Sequence, residues 1–321
     1  MTEENNPRVV VIGGGTGMPV LLRGLKNLPI QLTAIVTVAD DGGSTGRLRS
    51  EMDIPAPGDI RNVIAALSDA EPMLVDLFQH RFAVGNGLSG HSMGNLLLAA
   101  MTSITGNFNN GIKEISRVLN VKGKIYPISN DSMSLHAEME DGSIVSGESN
   151  IPLSNKRIKK VFLQPQPVKP LPNAIRAVKN ADLIVIAPGS LYTSILPTLI
   201  MPEIDQAIRM SRGEVVYVCN VMTQAGETTG YTASEHVEAI TSHIGQGTVD
   251  SIVVHNEPIR KNVRAVYEEE NAEPVLYDTD RLREMGLKVI EGDIIDHSKS
   301  TIRHDTEKVS NLLYSAIKRR K

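Results

Sequence analysis

Arg8-Val9-Val10-Val11-Ile12-Gly13-Gly14-Gly15-Thr16-Gly17-Met18-Pro19 is the stretch whose reading decides the fold. Its unbroken β-branched run has no polar alternation, as expected of a strand buried on both faces of a parallel sheet. The glycines permit a tight turn and a close approach of backbone N–H groups to an anion. Pro19 falls in the first turn of a helix, where its missing N–H is harmless. A strand, a glycine loop and a helix N-terminus in this order bring free amides and the positive dipole end to one point. The dinucleotide spacing G-x-G-x-x-G needs glycine at 18, where this chain has Met18, so the loop reads as a phosphate-binding variant and does not specify NAD. The bland reading is a tight strand-to-helix turn with no ligand.

Working outward, four more short apolar runs read as buried strands: LTAIVTVA (32–39), DLIVIAP (182–188), EVVYVCNV (214–221) and SIVVH (251–255). Helical spacing covers Pro19–Leu28, Met93–Ile104, Ser234–Ile244 and Asp305–Lys318. The alternation predicts an α/β fold, Rossmann-like and doubly wound, around a mostly parallel sheet. One segment breaks this rhythm. Asp141-Gly142 marks a hairpin turn between alternating segments of 134–152, and RIKKVFLQP (157–165) adds a strand. Residues 121–165 are thus expected to form a smaller β-rich insertion within a single domain spanning 1–321. QPQPVKPLP (164–172) reads as an extended connector, and IRKNVRAVYEEE (259–270) as a helix.

With 321 residues the chain can bury a full core without a disulfide or a structural metal. Its 33 Lys+Arg against 37 Asp+Glu argue against a nucleic-acid partner. The lone Cys219 excludes an internal disulfide framework and a multi-cysteine zinc site. No apolar run suits a membrane span, and the polar MTEENNPR start does not read as a signal peptide. A cytoplasmic protein is the expectation.

Further polar, glycine-rich segments follow the strands. Asp40-Asp41-Gly42-Gly43 suits ribose hydroxyls, a divalent cation such as Mg²⁺ or a reacting hydroxyl, or else an Asx turn with solvated acids. Asp59 in PGDIRN (57–62) reads as an N-cap or a catalytic acid. His91 and Asn95 in GHSMGN (90–95) can meet phosphate, move a proton or contact a base; His91 can equally be packed. Gly189-Ser190-Leu191-Tyr192 opens another helix start with anion-binding donors, and Asn220 follows the next strand. Tyr267 can stack on a base or sugar, or simply pack. Arg303 offers a bidentate clamp for pyrophosphate. Thr306, at the start of the last helix, stands where an added phosphate is tolerated.

Taken in order, VVVIGGGTGMPVLLRGLK (9–26), TVADDGGSTGRLR (37–49), PGDIRN, HSMGN (91–95), APGSLYTSILP (187–197), CNVMTQAGET (219–228) and STIRHD (300–305) resemble the gluconeogenesis factor (YvcK-like) family. That family lies within the 2-phospho-lactate transferase (CofD-like) superfamily, and the resemblance covers nearly the whole chain. It implies a Rossmann-like fold, a cytoplasmic location and a UDP-sugar ligand such as UDP-N-acetylglucosamine. It also implies a role in cell shape and cell-wall synthesis on gluconeogenic carbon sources. Gly43-Ser44-Thr45-Gly46 and Gly189-Ser190-Leu191-Tyr192 depart from the transferase relatives' segments, which weighs against deazaflavin and phospholactate chemistry. Two functions are carried forward: a nucleotide-sugar-binding regulator, and a Mg²⁺-dependent nucleotide-linked transferase using Asp40 or Asp41. An NAD-dependent oxidoreductase is the weakest reading. Expected partners are the nucleotide sugar, a cell-wall or morphogenesis protein, a Ser/Thr kinase acting on Thr306 and a second copy in a homo-oligomer.

Overall fold

The computed structural model describes residues 6–260, 264, 267, 269–298 and 301–318. In chain order its elements are β1 (Arg8–Gly13), α1 (Gly17–Leu25), β2 (Gln31–Val36), α2 (Gly43–Met52), α3 (Gly58–Leu67), α4 (Pro72–Gln79), α5 (Met93–Thr105), α6 (Phe108–Val118) and β3 (Lys124–Pro127). Then come β4 (Ser134–Met139), β5 (Ile144–Ser146), β6 (Ile158–Gln164), α7 (Pro172–Lys179), β7 (Leu183–Ile186), a π-helical turn (Leu191–Ile195), α8 (Leu196–Leu199) and α9 (Pro202–Met210). The chain continues through β8 (Glu214–Val218), α10 (Ala233–Ile244), β9 (Ser251–His255), α11 (Thr279–Glu284), β10 (Lys288–Gly292) and α12 (Thr306–Lys318).

Seven strands form one parallel sheet in the order β10-β9-β8-β7-β1-β2-β3. Val9, Val10, Val11 and Ile12 are at most 2% exposed, so the apolar run that opened the reading lies at the centre of the core. From β1 the strand order runs outward through β2 and β3 on one side. Beyond it β7, β8, β9 and β10 run outward on the other. The direction reverses between β1 and β7, and such a switch point leaves a crevice at the strands' carboxyl ends where ligands bind.

The insertion expected over 121–165 divides in two. Lys124–Pro127 pairs in parallel with Thr33–Val36 and closes the edge of the main sheet. The separate antiparallel sheet, in the order β5-β4-β6, spans 134–164. The run 32–39 also stops as a strand at Val36, beyond which the chain turns toward the Asp40 loop. Only Arg264 and Tyr267 within 261–268 are described, so the helix expected over 259–270 lies largely outside the described residues, as do Ser300 and the basic Arg319-Arg320-Lys321 tail. Among the described residues, no helix is long and apolar enough to cross a membrane.

Candidate functional site

β1 delivers its glycine loop to the switch point, where each glycine meets a different constraint. Gly15 has φ +66, a left-handed conformation that disfavours any side chain. A Cβ on Gly17 would overlap the Pro188 carbonyl, so only glycine lets the start of α1 lie against the tip of β7. Thr16 places no side-chain cap on α1, which leaves the helix's first amides without a side-chain acceptor there. Thr16 and Gly17 line a cavity of about 180 Å³ together with Gly189, Ser190, Asn220, Tyr267, Arg303 and His304. Seven of the residues expected from sequence at the ligand, Thr16, Gly17, Gly189, Ser190, Asn220, Tyr267 and Arg303, therefore meet around one space.

Two of these residues hold the walls in place. The Asn220 side chain accepts from Gly189 N at 3.0 Å and donates to Gly189 O at 2.7 Å, clamping the β7 loop to the β8 loop. Both ends of the Asn220 side-chain amide are thereby engaged. The Tyr267 hydroxyl accepts from Ile302 N at 2.8 Å and so fixes the backbone next to Arg303. Among the described residues, the Arg303 guanidinium bonds only the neighbouring Ile302 carbonyl, at 3.3 Å, and Arg303 is exposed. His304 bonds the Cys219 carbonyl through Nε2 at 3.2 Å, and burial holds its pKa down to about 4. The ring is neutral at physiological pH and serves as a positioned donor.

Leu191 and Tyr192, expected at the ligand, point into the core instead; they are 0% and 3% exposed. The π-helical turn carries them inward, where Tyr192 N donates to Glu227 Oε2 at 2.9 Å and the Tyr192 and Tyr231 hydroxyls pair at 3.0 Å. Their contribution is to the shape of the β7 loop.

The acids behave differently from one another. Asp41 was read as facing a ribose or metal beside Asp40. Both of its oxygens are taken by the insertion: Oδ2 by Glu148 N at 3.0 Å, Oδ1 by Ser149 N and Oγ at 3.0 and 2.7 Å. It anchors the small sheet over the strand tips. Asp40 accepts from Gly42 N at 2.9 Å in an Asx-type turn. Asp59 does not cap its helix; its Oδ2 accepts from Gly15 N at 2.7 Å, so this carboxyl occupies one donor of the glycine loop. Burial, with Asp40 nearby, pushes the Asp59 pKa up to about 6. Glu148 is pushed up to about 8 by burial, then by Asp40, Asp41, Asp59 and Glu227. Sequence reading missed Glu148 and Glu227, since each reaches the site from a partner distant in the chain. No group of three or more His, Cys, Asp or Glu among the described residues could hold a metal ion. With Asp41 saturated by the insertion loop, the Asp40-Asp41 pair does not fit a Mg²⁺ ligand set.

His91 and Asn95 lie at a separate cluster where α2 meets α5. Asn95 Nδ2 donates to Ser44 Oγ at 3.1 Å, and Ser44 Oγ lies 2.9 Å from His91 Nδ1. Burial, then the neighbouring Arg47 charge, lowers the His91 pKa. Neither residue borders the strand-tip cavity. A second cleft, of about 400 Å³ at the tips of β8 and β9, shares Asn220 and Val221 with that cavity and is bordered by His255, Asn256 and Tyr277. At the start of α12, Asp305 Oδ1 accepts from Glu307 N and Lys308 N, both at 3.0 Å, beside half-buried Thr306.

Comparison with known proteins agrees with this architecture. The family model described as 2-phospho-L-lactate transferase CofD matches residues 9–295. A protein named gluconeogenesis factor from Halalkalibacterium halodurans is 59% identical over 305 residues, covering 95% of both chains. One of the same name from Bacillus subtilis is 56% identical over 312 residues, covering 97% of this chain and 98% of its own. A crystal structure of a Bacillus halodurans protein superposes with a TM-score of 0.95 at 58% identity, over 97% of this chain and 100% of that one. A second, described as a member of the UPF0052 family from the same organism, gives 0.94 at 58% identity, over 96% and 99%.

Proposed function

The chain belongs to the 2-phospho-L-lactate transferase CofD family, and on that premise we propose that it is a cytoplasmic regulator that binds a nucleoside diphosphate sugar, UDP-N-acetylglucosamine or UDP-glucose. The observation that carries this reading is the convergence of the uncapped α1 amides, the β7 loop and the Arg303 guanidinium on one cavity. Amides at a helix start favour an anion, and a guanidinium matches phosphate oxygens with two parallel donors. The adjoining cleft of about 400 Å³ gives room for the remainder of a ligand whose diphosphate sits at Arg303. Its relatives' name, gluconeogenesis factor, supports a role during growth on gluconeogenic carbon. We extend that role to cell shape and cell-wall synthesis, exerted through a morphogenesis protein that senses the liganded state, with a homo-oligomer as the working unit.

Thr306 is the proposed acceptor for a Ser/Thr kinase. Its phosphate would sit three residues from Arg303 and beside the Asp305 cap, so modification would perturb the segment that closes the cavity. Peptide mapping of protein from kinase-active cells tests this, and a persistently unmodified 301–318 peptide would remove it.

Calorimetry with UDP-N-acetylglucosamine on the wild type and Arg303→Ala tests the binding reading. Loss of one charge-assisted clamp is expected to weaken binding about tenfold or more. Equal affinity would take Arg303 out of the site. A transferase is the second reading, favoured by the carboxyls of Asp40, Asp59 and Glu148 gathered beside the glycine loop. Turnover of a nucleotide-linked donor with added Mg²⁺, abolished by Asp40→Asn, would establish it in place of the regulator.

A further inference from the structure

We propose that the cleft between α7 and the amino-terminal ends of β1, β2 and β3, at the opposite end of the sheet from the glycine loop, binds a small phosphorylated molecule. The register sets one wall. Val10, Thr33 and Lys124 stand side by side on one face of the sheet, with Arg8 and Gln31 in the next row. A parallel sheet normally covers such a face with apolar side chains under a helix. Here the helix beside the cleft is α7, and it lines the cleft with a polar stripe. Asn173, Arg176, Ala177 and Asn180 follow the helical spacing of a single face, while Ala174 and Val178 are buried in the main core. This stripe and the strand ends border a cleft of about 720 Å³, within the range of small-molecule sites, roughly 300–1,000 Å³.

The charge of this cleft selects its ligand. Arg8, Lys26, Lys122, Lys124 and Arg176 all border it, and no Asp or Glu is among its described lining residues. Two of these cations are compensated from outside the lining, Arg8 by Asp182 at 3.1 Å and Lys122 by Asp69 at 3.1 Å. Lys26 Nζ donates to the Ser68 carbonyl at 2.6 Å and meets no carboxylate there. Lys124 and Arg176 have no carboxylate partner among the described residues, and they border the cleft from the sheet and from the helix. An ammonium and a guanidinium lining one cleft, with the neutral donors Asn173 and Asn180, suit a multiply charged, oxygen-rich anion. The carboxamides and Thr33 supply the uncharged bonds that a phosphate ester adds to its charge. The proposal does not rest on the nucleotide site at the strand tips.

Calorimetry with inorganic pyrophosphate at about 0.15 M salt, where long-range surface attraction is largely screened, separates the two sites. Wild-type protein is expected to bind pyrophosphate at this cleft whether or not the strand tips also take it: Arg303→Ala keeps this event, and Lys124→Glu/Arg176→Glu weakens it about tenfold or more. Both substituted side chains are exposed, so the double variant should fold, and its circular dichroism spectrum provides the check. Lys124→Gln/Arg176→Gln should reproduce the loss without reversing the charge. Unchanged titration of the double variants, or equal displacement by sulfate at matched ionic strength, would overturn the proposal.

Discussion

The Gly15 backbone amide donates to Asp59 Oδ2 at 2.7 Å, so the glycine loop of this protein holds a carboxyl group on one of its own amides. Asp59 reaches that amide from the start of α3, and burial raises its pKa to about 6. The loop is thus part-filled by a group whose charge depends on pH. On the proposed reading the diphosphate binds beside it, at the amides of Thr16 and Gly17 and at Arg303, which line the strand-tip cavity.

This arrangement sets the pH dependence of binding. Asp59 ionises above about 6 and Glu148 above about 8, each adding negative charge near the diphosphate. Affinity for UDP-N-acetylglucosamine is expected to fall in two steps between roughly pH 5 and pH 9. Asp59→Asn should remove the lower step and Glu148→Gln the upper. A flat wild-type profile would show that neither acid senses the ligand.

Stability should follow the same sign. Both carboxyls have folded pKa values above their unfolded ones, so the folded state holds protons that the unfolded chain has released. Stability therefore falls as pH rises from the unfolded values through about 6 for Asp59 and about 8 for Glu148. Thermal unfolding is expected to show this decline, flattened at its lower end in Asp59→Asn. A midpoint in that variant that tracks the wild type at every pH would contradict the assignment.

Removing the Asn220 clamp leaves both the N–H and the C=O of Gly189 without their side-chain partner. Asn220→Ala should cost about 1–3 kcal/mol of stability in denaturant unfolding. It should also weaken ligand binding by loosening the β7 loop. Asn220→Asp is expected to be worse for binding, because it cannot donate to Gly189 O and adds a negative charge at the cavity. Wild-type binding in Asn220→Asp would show that the clamp is irrelevant to the ligand.

Asp41 holds the insertion rather than a ligand, which gives a distinct phenotype. Asp41→Ala should release the 147–150 loop to limited proteolysis while the parallel sheet keeps its far-ultraviolet signature. Its acceptor bonds to Glu148 N, Ser149 N and Ser149 Oγ are the reason. Unaltered cleavage kinetics would mean that the small sheet is held by other contacts.

The central strands were legible because three or more consecutive apolar, mostly β-branched residues leave few alternatives to a doubly buried strand. Lys124–Pro127 and Lys288–Gly292 were not, since these edge strands are short and partly exposed and carry no such run. The residues that meet at the strand tips were visible as small polar segments after strands, and Thr16, Gly17, Gly189, Ser190 and Arg303 do converge. Which of them would be free was not legible. Asn220 is spent on Gly189, 31 residues away, and Asp41 on a loop more than 100 residues away. Leu191 and Tyr192 were misjudged for a local reason: the π-helical turn rotates them into the core. His91 and Asn95 share Ser44 because α5 packs beside α2, a pairing that no local pattern encodes.

A crystal structure of the protein with UDP-N-acetylglucosamine tests the central claim most directly. The diphosphate is expected within hydrogen-bond reach of the Thr16–Gly17 amides and the Arg303 guanidinium, with the rest of the ligand extending over the tips of β8 and β9. A diphosphate bound away from both the α1 amides and Arg303 would contradict it.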